Sequence, residues 1–172
     1  MLSDTPVFWR SAGDLTFEVP IDAYGAGTLT FQSDSNEDAD GTLSFSPSSG
    51  IEVTDPALQQ LMFTSADIIV YSPIDALNAN VTIQVSNYSG STMSIGWATH
   101  GGLYLDDDEL DLITTQSTFT LGSLQTDQVF LDGVSHTDSS PSEMFIVSMN
   151  SIKALGGANW FSNRLGIHAD ND

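Results

Sequence analysis

Apolar and polar residues alternate with period two along almost the whole chain, and that regularity excludes most helical folds. Leu15, Phe17, Val19 and Ile21 point one way while Thr16 and Glu18 point the other. Leu29 and Phe31 repeat the pattern at 27–32, and Leu43 and Phe45 repeat it at 41–46. It returns in Val81, Ile83 and Val85, and again in Met93, Ile95 and Trp97. Further strand candidates are "LDLITTQSTFTLG", "DQVFLDGV" and "SEMFIVSMN". "ADIIVYSPI" and "MFIVSM" are apolar on both faces, as central strands are. A helix is signalled near 56–63, where Asp55 can cap, Pro56 takes the first position and "ALQQLMF" supplies about two turns. "SIKALGG", ending at Gly156 and Gly157, is a candidate for a second short one.

These elements, with Gly, Ser, Asn and Asp turns between them, predict a single all-β domain over 1–172. The expected architecture is a β-sandwich of jelly-roll or Greek-key wiring, because connections such as 46–66 are too long and uneven for an up-and-down barrel. No internal repeat is visible.

Charge sets the environment. The 172 residues carry 23 acids against 3 Lys and Arg, a net charge of −20. Asp outnumbers Glu 18 to 5, and Lys153 is the only lysine. In ordinary buffer such a surface repels itself. Molar salt shortens the Debye length to roughly 3 Å and removes most of that repulsion. An acid-rich, lysine-poor, cysteine-free chain of this kind suits a salt-loving archaeal setting. Nucleic acid is excluded as a partner, since there are almost no cations to displace its counterions. No apolar run is long enough to span a bilayer as a helix, so direct membrane insertion is not expected. The N-terminal stretch "MLSDTPVFWRSAGDL" lacks a basic segment followed by an apolar run, so it does not read as a secretory signal, and synthesis in the cytoplasm follows.

Two acidic stretches invite a metal reading. Asn36, Asp38, Asp40 and Gly41 match the first half of a calcium loop, but its twelfth position is Pro47 instead of a bidentate Glu. A weakly bound cation or a solvated turn fits that stretch. "YLDDDELDL" places Asp106, Asp107, Asp108 and Glu109 between two strand-like runs, with Asp106 and Asp108 as candidate cation ligands. His100, His136 and His168 lack metal-pair spacing. No G-x-S-x-G elbow and no phosphate-binding glycine loop occurs, so neither catalytic nor cofactor-binding residues are assigned and no enzyme is expected. Asn80-Val81-Thr82 and Asn87-Tyr88-Ser89 match glycan sequons by chance. Trp9, Trp97 and Trp160 are candidates for a sugar platform or for core packing. Arg10 and Arg164 each lie near a Trp toward opposite ends of the chain. Trp9, Arg10, Trp160 and Arg164 are therefore the candidate interface residues, suited to gripping an acidic neighbour.

The strand series from "LTFEVPI" to "SEMFIVSM", the size and the salt-adapted composition resemble the small single-jelly-roll major capsid protein of internal-membrane-containing icosahedral viruses of halophilic archaea. That resemblance implies an upright jelly roll, pairing with itself or a larger paralogue in capsomers, located in the virion, with no catalytic residues. A decoration or tail-associated β-domain of a tailed haloarchaeal virus is the neighbouring reading. A calcium-dependent carbohydrate-binding module, using the acidic loops and a Trp platform, is the reading from another class.

Overall fold

The computed structural model describes residues 6–86, 90–136, 141–161 and 164–170. Strands make up 55% of the chain and helix 3%, so the all-β expectation holds. The wiring does not follow the jelly roll. A jelly-roll or Greek-key sandwich pairs antiparallel neighbours, whereas every pairing between described strands is parallel.

Parallel strands need a crossover between them, and here the crossover is the rest of a coil. The first turn is β1 (Val7–Arg10), β2 (Leu15–Phe17) and β3 (Pro20–Ala23). The second is β4 (Gly27–Gln32), β5 (Thr42–Phe45) and β6 (Gly50–Val53). The third is β7 (Leu58–Ser65), β8 (Asp67–Val70) and β9 (Ile74–Asp75). The fourth is longer: β10 (Asn80–Val85), β11 (Thr92–Gly96), β12 (Leu103–Leu105), helix α1 (Asp107–Asp111) and β13 (Ile113–Thr114). Then come β14 (Thr118–Gly122), β15 (Gln128–Asp132) and β16 (Ser135–His136), followed by β17 (Glu143–Ser148), β18 (Ser151–Leu155) and β19 (Trp160–Phe161). β20 (Arg164–Ala169) opens a last turn.

Corresponding strands stack into three faces of a parallel β-solenoid. The first face is one seven-stranded sheet, β1-β4-β7-β10-β14-β17-β20. The second runs β2-β5-β8 and then β12-β11-β15-β18; the third runs β3-β6-β9-β13 and then β16-β19. In the fourth turn the chain leaves β11, doubles back and returns as β12, parallel to β11 and next to β8. Two glycines at positive φ permit this reversal. A Cβ at Gly96 would stand 2.3 Å from the Asp132 carbonyl oxygen, and one at Gly102 would stand 2.1 Å from that of Thr92. No other residue fits such approaches.

Alternation now has a different cause from the one expected. On most strands one set of side chains points into the coil and the other outward, as period two requires, and on β11 the outward Ser94 is buried beneath the 97–102 excursion. The inward sets stack in register. On the first face one ladder is Val7, Leu29, Leu61, Val81, Phe119, Met144 and Leu165. Beside it runs Trp9, Phe31, Phe63, Ile83, Leu121, Ile146 and Ile167. Aromatic rings dominate the first three turns. Trp9 stacks on Phe31 at 4.9 Å and Phe31 on Phe63 at 5.2 Å, while across the coil Phe17 stacks on Phe45 at 5.3 Å. Between the two columns the rings meet edge to face, as their quadrupoles favour.

The helix expected near 56–63 is strand β7 instead. Its backbone must pair with β4 on one side and β10 on the other, and Leu61 and Phe63 fill two inward ladders. Asp55 still caps, but it caps a turn: its carboxylate accepts the N–H of Ala57 and, from the turn below, that of Gly25. "SIKALGG" likewise contains strand β18. The helix present is α1, over the acidic run.

Candidate assembly surfaces and acidic loops

The first acidic stretch folds around Asp34, a residue that sequence reasoning passed over. Asp34 is fully buried at the corner after β4. Its carboxylate accepts the N–H of Asp38 at 2.9 Å, the N–H of Ala39 at 3.2 Å and the hydroxyl of Ser86. Asn36, Asp38 and Asp40 lie exposed at the tip. Asp38 accepts the Asn36 side-chain amide at 2.7 Å and the Asp40 N–H at 3.2 Å, so these groups hold one another in a short polar turn.

The second stretch is a helix start. Asp106 accepts the N–H of Glu109 at 2.8 Å, and Glu109 reaches back to the N–H of Asp106 at 3.2 Å. This reciprocal capping box was legible as D-x-x-E. Glu109 also accepts the N–H of Val70 in the preceding turn, and Asp107 accepts that of Ser135 in the following one. Asp108 stays exposed. Among the described residues, no group of three or more His, Cys, Asp and Glu is disposed to hold a metal ion.

An open cleft of about 380 Å³ lies between β8 and α1, lined by Asp67, Tyr71, Tyr104, Asp106, Asp108 and Glu109. Asp67 accepts the N–H of Tyr104 at 3.1 Å. Burial pushes the Asp67 carboxyl above the usual range, against two backbone hydrogen bonds that lower it. Glu109 is raised by burial first, with the Asp106 and Asp67 charges adding. Burial and the surrounding acids raise the Tyr104 phenol as well.

The histidines are held apart by different carboxylates. His100 meets Asp132 at 3.0 Å on the second face. His136 is buried, with Nδ1 bonded to Asp111 at 2.9 Å. His168 lies exposed on β20. On the third face, register sets Asp22 beside Glu52 and Glu52 beside Asp75, an exposed column of three carboxylates on adjacent strands. Sequence spacing gave no sign of it.

Trp9 is 37% exposed and sits on the first turn; Trp160 is 65% exposed and sits on β19, toward the other end. Trp97, between β11 and β12, lies over Gly133. The three indoles thus occupy three turns. Of the sequons, Asn80-Val81-Thr82 lies on β10, whereas Asn87-Tyr88-Ser89 lies outside the described residues. Arg10 is exposed on β1 and lies over the Phe8 ring; Arg164, 83% exposed, donates to Glu143 at 3.0 Å. An ion pair so exposed contributes little to stability.

Both ends of the solenoid are open among the described residues. At the first turn the inward side chains Val7, Trp9, Leu15, Phe17 and Ile21 are exposed or half-buried. A cleft of about 330 Å³ opens there against Tyr24, Leu29 and Leu58. At the last turns Ile152, Phe161 and Leu165 are half-buried and Ile167 is 60% exposed. Every other rung of the two first-face ladders is buried. The chain matches no protein-family model, no curated protein and no solved structure, so the functional reading rests on this geometry.

Proposed function

We propose that the protein is a non-catalytic structural building block that assembles with copies of itself, as a component of a virion from a salt-loving archaeal host. The observation that carries the reading is the pair of open solenoid ends. Repeat folds close their terminal turns with polar caps to stay soluble, and among the described residues the apolar ladders run out to the first and last turns instead. The acidic clusters favour a structural role too, because Asp34, Asp55, Asp106 and Glu109 hold backbone N–H groups at corners.

Within a virion, a decorating or tail-associated position suits this fold better than a capsomer. The capsid resemblance rests on jelly-roll wiring, and a coil of parallel strands presents its stacking edges at its ends instead of standing as an upright sandwich. Light scattering of the purified chain in molar KCl tests the proposal. Assemblies larger than one chain are expected; a monomer at all concentrations would refute self-assembly.

A further inference from the structure

The two ends differ in charge, and the difference points to how copies meet. Arg10, Lys153 and Arg164 are the only Lys and Arg residues, so the whole stretch between 10 and 153 has no such cation. On the first turn Arg10 is outnumbered by Asp14, Glu18 and Asp22. At the other end, among the described residues, Lys153 and Arg164 stand against two acids, Asp170 and the Glu143 with which Arg164 pairs. On a molecule of net charge −20, that end is close to neutral while the first turn is acidic.

Resting on the structural reading above, we propose that copies stack head to tail, the β18–β20 end of one upon the β1–β3 end of the next. Three observations fit together. First, β1 and β20 are opposite edges of one parallel sheet, so a second copy continues the ladder in the same strand direction. An open edge carries unpaired N–H and C=O groups ready for such pairing. Second, the inward ladders continue across the joint. Leu165 and Ile167 of one copy lie where Val7 and Trp9 of the next can rest on them, burying the apolar side chains both ends expose. Third, the joint sets Lys153 and Arg164 against a turn rich in Asp and Glu. Pairing two first turns would instead oppose acid with acid. Apolar burial supplies most of the affinity, strand direction sets the orientation, and in molar salt only charges in direct contact at the joint add to it. The contact is heterologous and does not close on itself, so it builds an open stack.

Two variants, each blocked at one end, test the polarity. Val7→Lys puts a charge on the first turn, facing the apolar rung of Leu165 with Arg164 beside it; Ile167→Asp puts an acid on the last turn, facing an acidic end. Each alone, in molar KCl, is expected to be folded and monomeric by circular dichroism and light scattering. Mixed, they retain one native head and one native tail, and a species of twice the chain mass is expected. If a variant fails to melt cooperatively, its end is blocked from the rim instead, with Phe8→Lys or Trp160→Asp, and the readout is unchanged. Dimers of a single variant would overturn head-to-tail stacking in favour of like-end pairing. So would variants that stack as the native chain does, or a mixture that stays monomeric. In each case native assemblies would leave the structural reading intact. A native chain that never assembles would remove both.

Discussion

Asp34 is the residue on which the first acidic corner depends. Replacing it with Ala leaves the N–H groups of Asp38 and Ala39 and the Ser86 hydroxyl without their acceptor. A buried donor left unpaired costs about 1–3 kcal/mol; that applies to the Ser86 hydroxyl, while the two part-buried N–H groups lose less to water, so a clear fall in melting temperature is expected. Asp38→Asn with Asp40→Asn, at the exposed tip, should change stability by only about 0.5 kcal/mol. Calorimetry of both variants with and without calcium checks the contrast. A calcium-dependent gain lost in the double variant would restore the metal reading. A pH effect belongs at this scale as well. The Asp67 carboxyl is raised by burial above its ordinary value of 3.8, so the folded chain binds its proton more readily than the unfolded chain does. Stability contributed by this group is therefore lost as pH rises from 3.8 through the raised value, and Glu109 acts in the same direction. Asp67→Asn keeps an acceptor for the Tyr104 N–H and removes the charge. It should be more stable at neutral pH, with a flatter pH dependence, in urea melts at about pH 5 and about pH 8.

Elements are held by stacking between turns, and the sequence carries only half of that arrangement. The strands at 27–32 and 41–46 and the inward identities of Leu29, Phe31, Leu43 and Phe45 were legible, because burial on one face imposes period two whatever the pairing. Parallel pairing was not legible. Buried parallel sheets usually lie under helices and read as continuous apolar runs. Here the outer face of most strands is polar and open to solvent, so the pattern imitates an antiparallel sandwich. The misplaced helix has a similar origin: Asp55 and Pro56 are good local helix signals, overruled by two neighbouring strands that need β7 extended. Two predictions follow from the stacking itself. Phe45 touches rings above and beside it, at 5.3 Å from Phe17 and 5.9 Å from Phe31 and Phe63. Phe45→Ala should cost about 3–5 kcal/mol in chemical denaturation. Conversely, like charges set side by side on paired strands repel. Glu52→Gln, in the middle of the Asp22–Glu52–Asp75 column, should raise the melting temperature in dilute buffer, and the gain should vanish in molar salt.

At the scale of the molecule, a charge of −20 makes the fold itself depend on screening. Circular dichroism should show the melting point dropping as KCl is lowered from molar to about 0.1 M, where the Debye length grows to about 10 Å. An unchanged melting point would remove the salt-adapted setting. The repeat escaped notice in the sequence because the turns are unequal. Leu29 to Leu61 is one turn and Leu61 to Val81 the next, so no fixed period survives. That inequality has a consequence for what the chain can become. Each rung needs only its few inward side chains, while the corner at 33–41 and the excursion at 97–102 take up length outside the stack. The exposed tips of these corners, such as 36–40 beyond the buried Asp34, are natural sites for grafting a foreign peptide or absorbing an insertion over generations, with the rungs beneath left undisturbed. A molecule built this way can change its outline freely while its axis stays conserved.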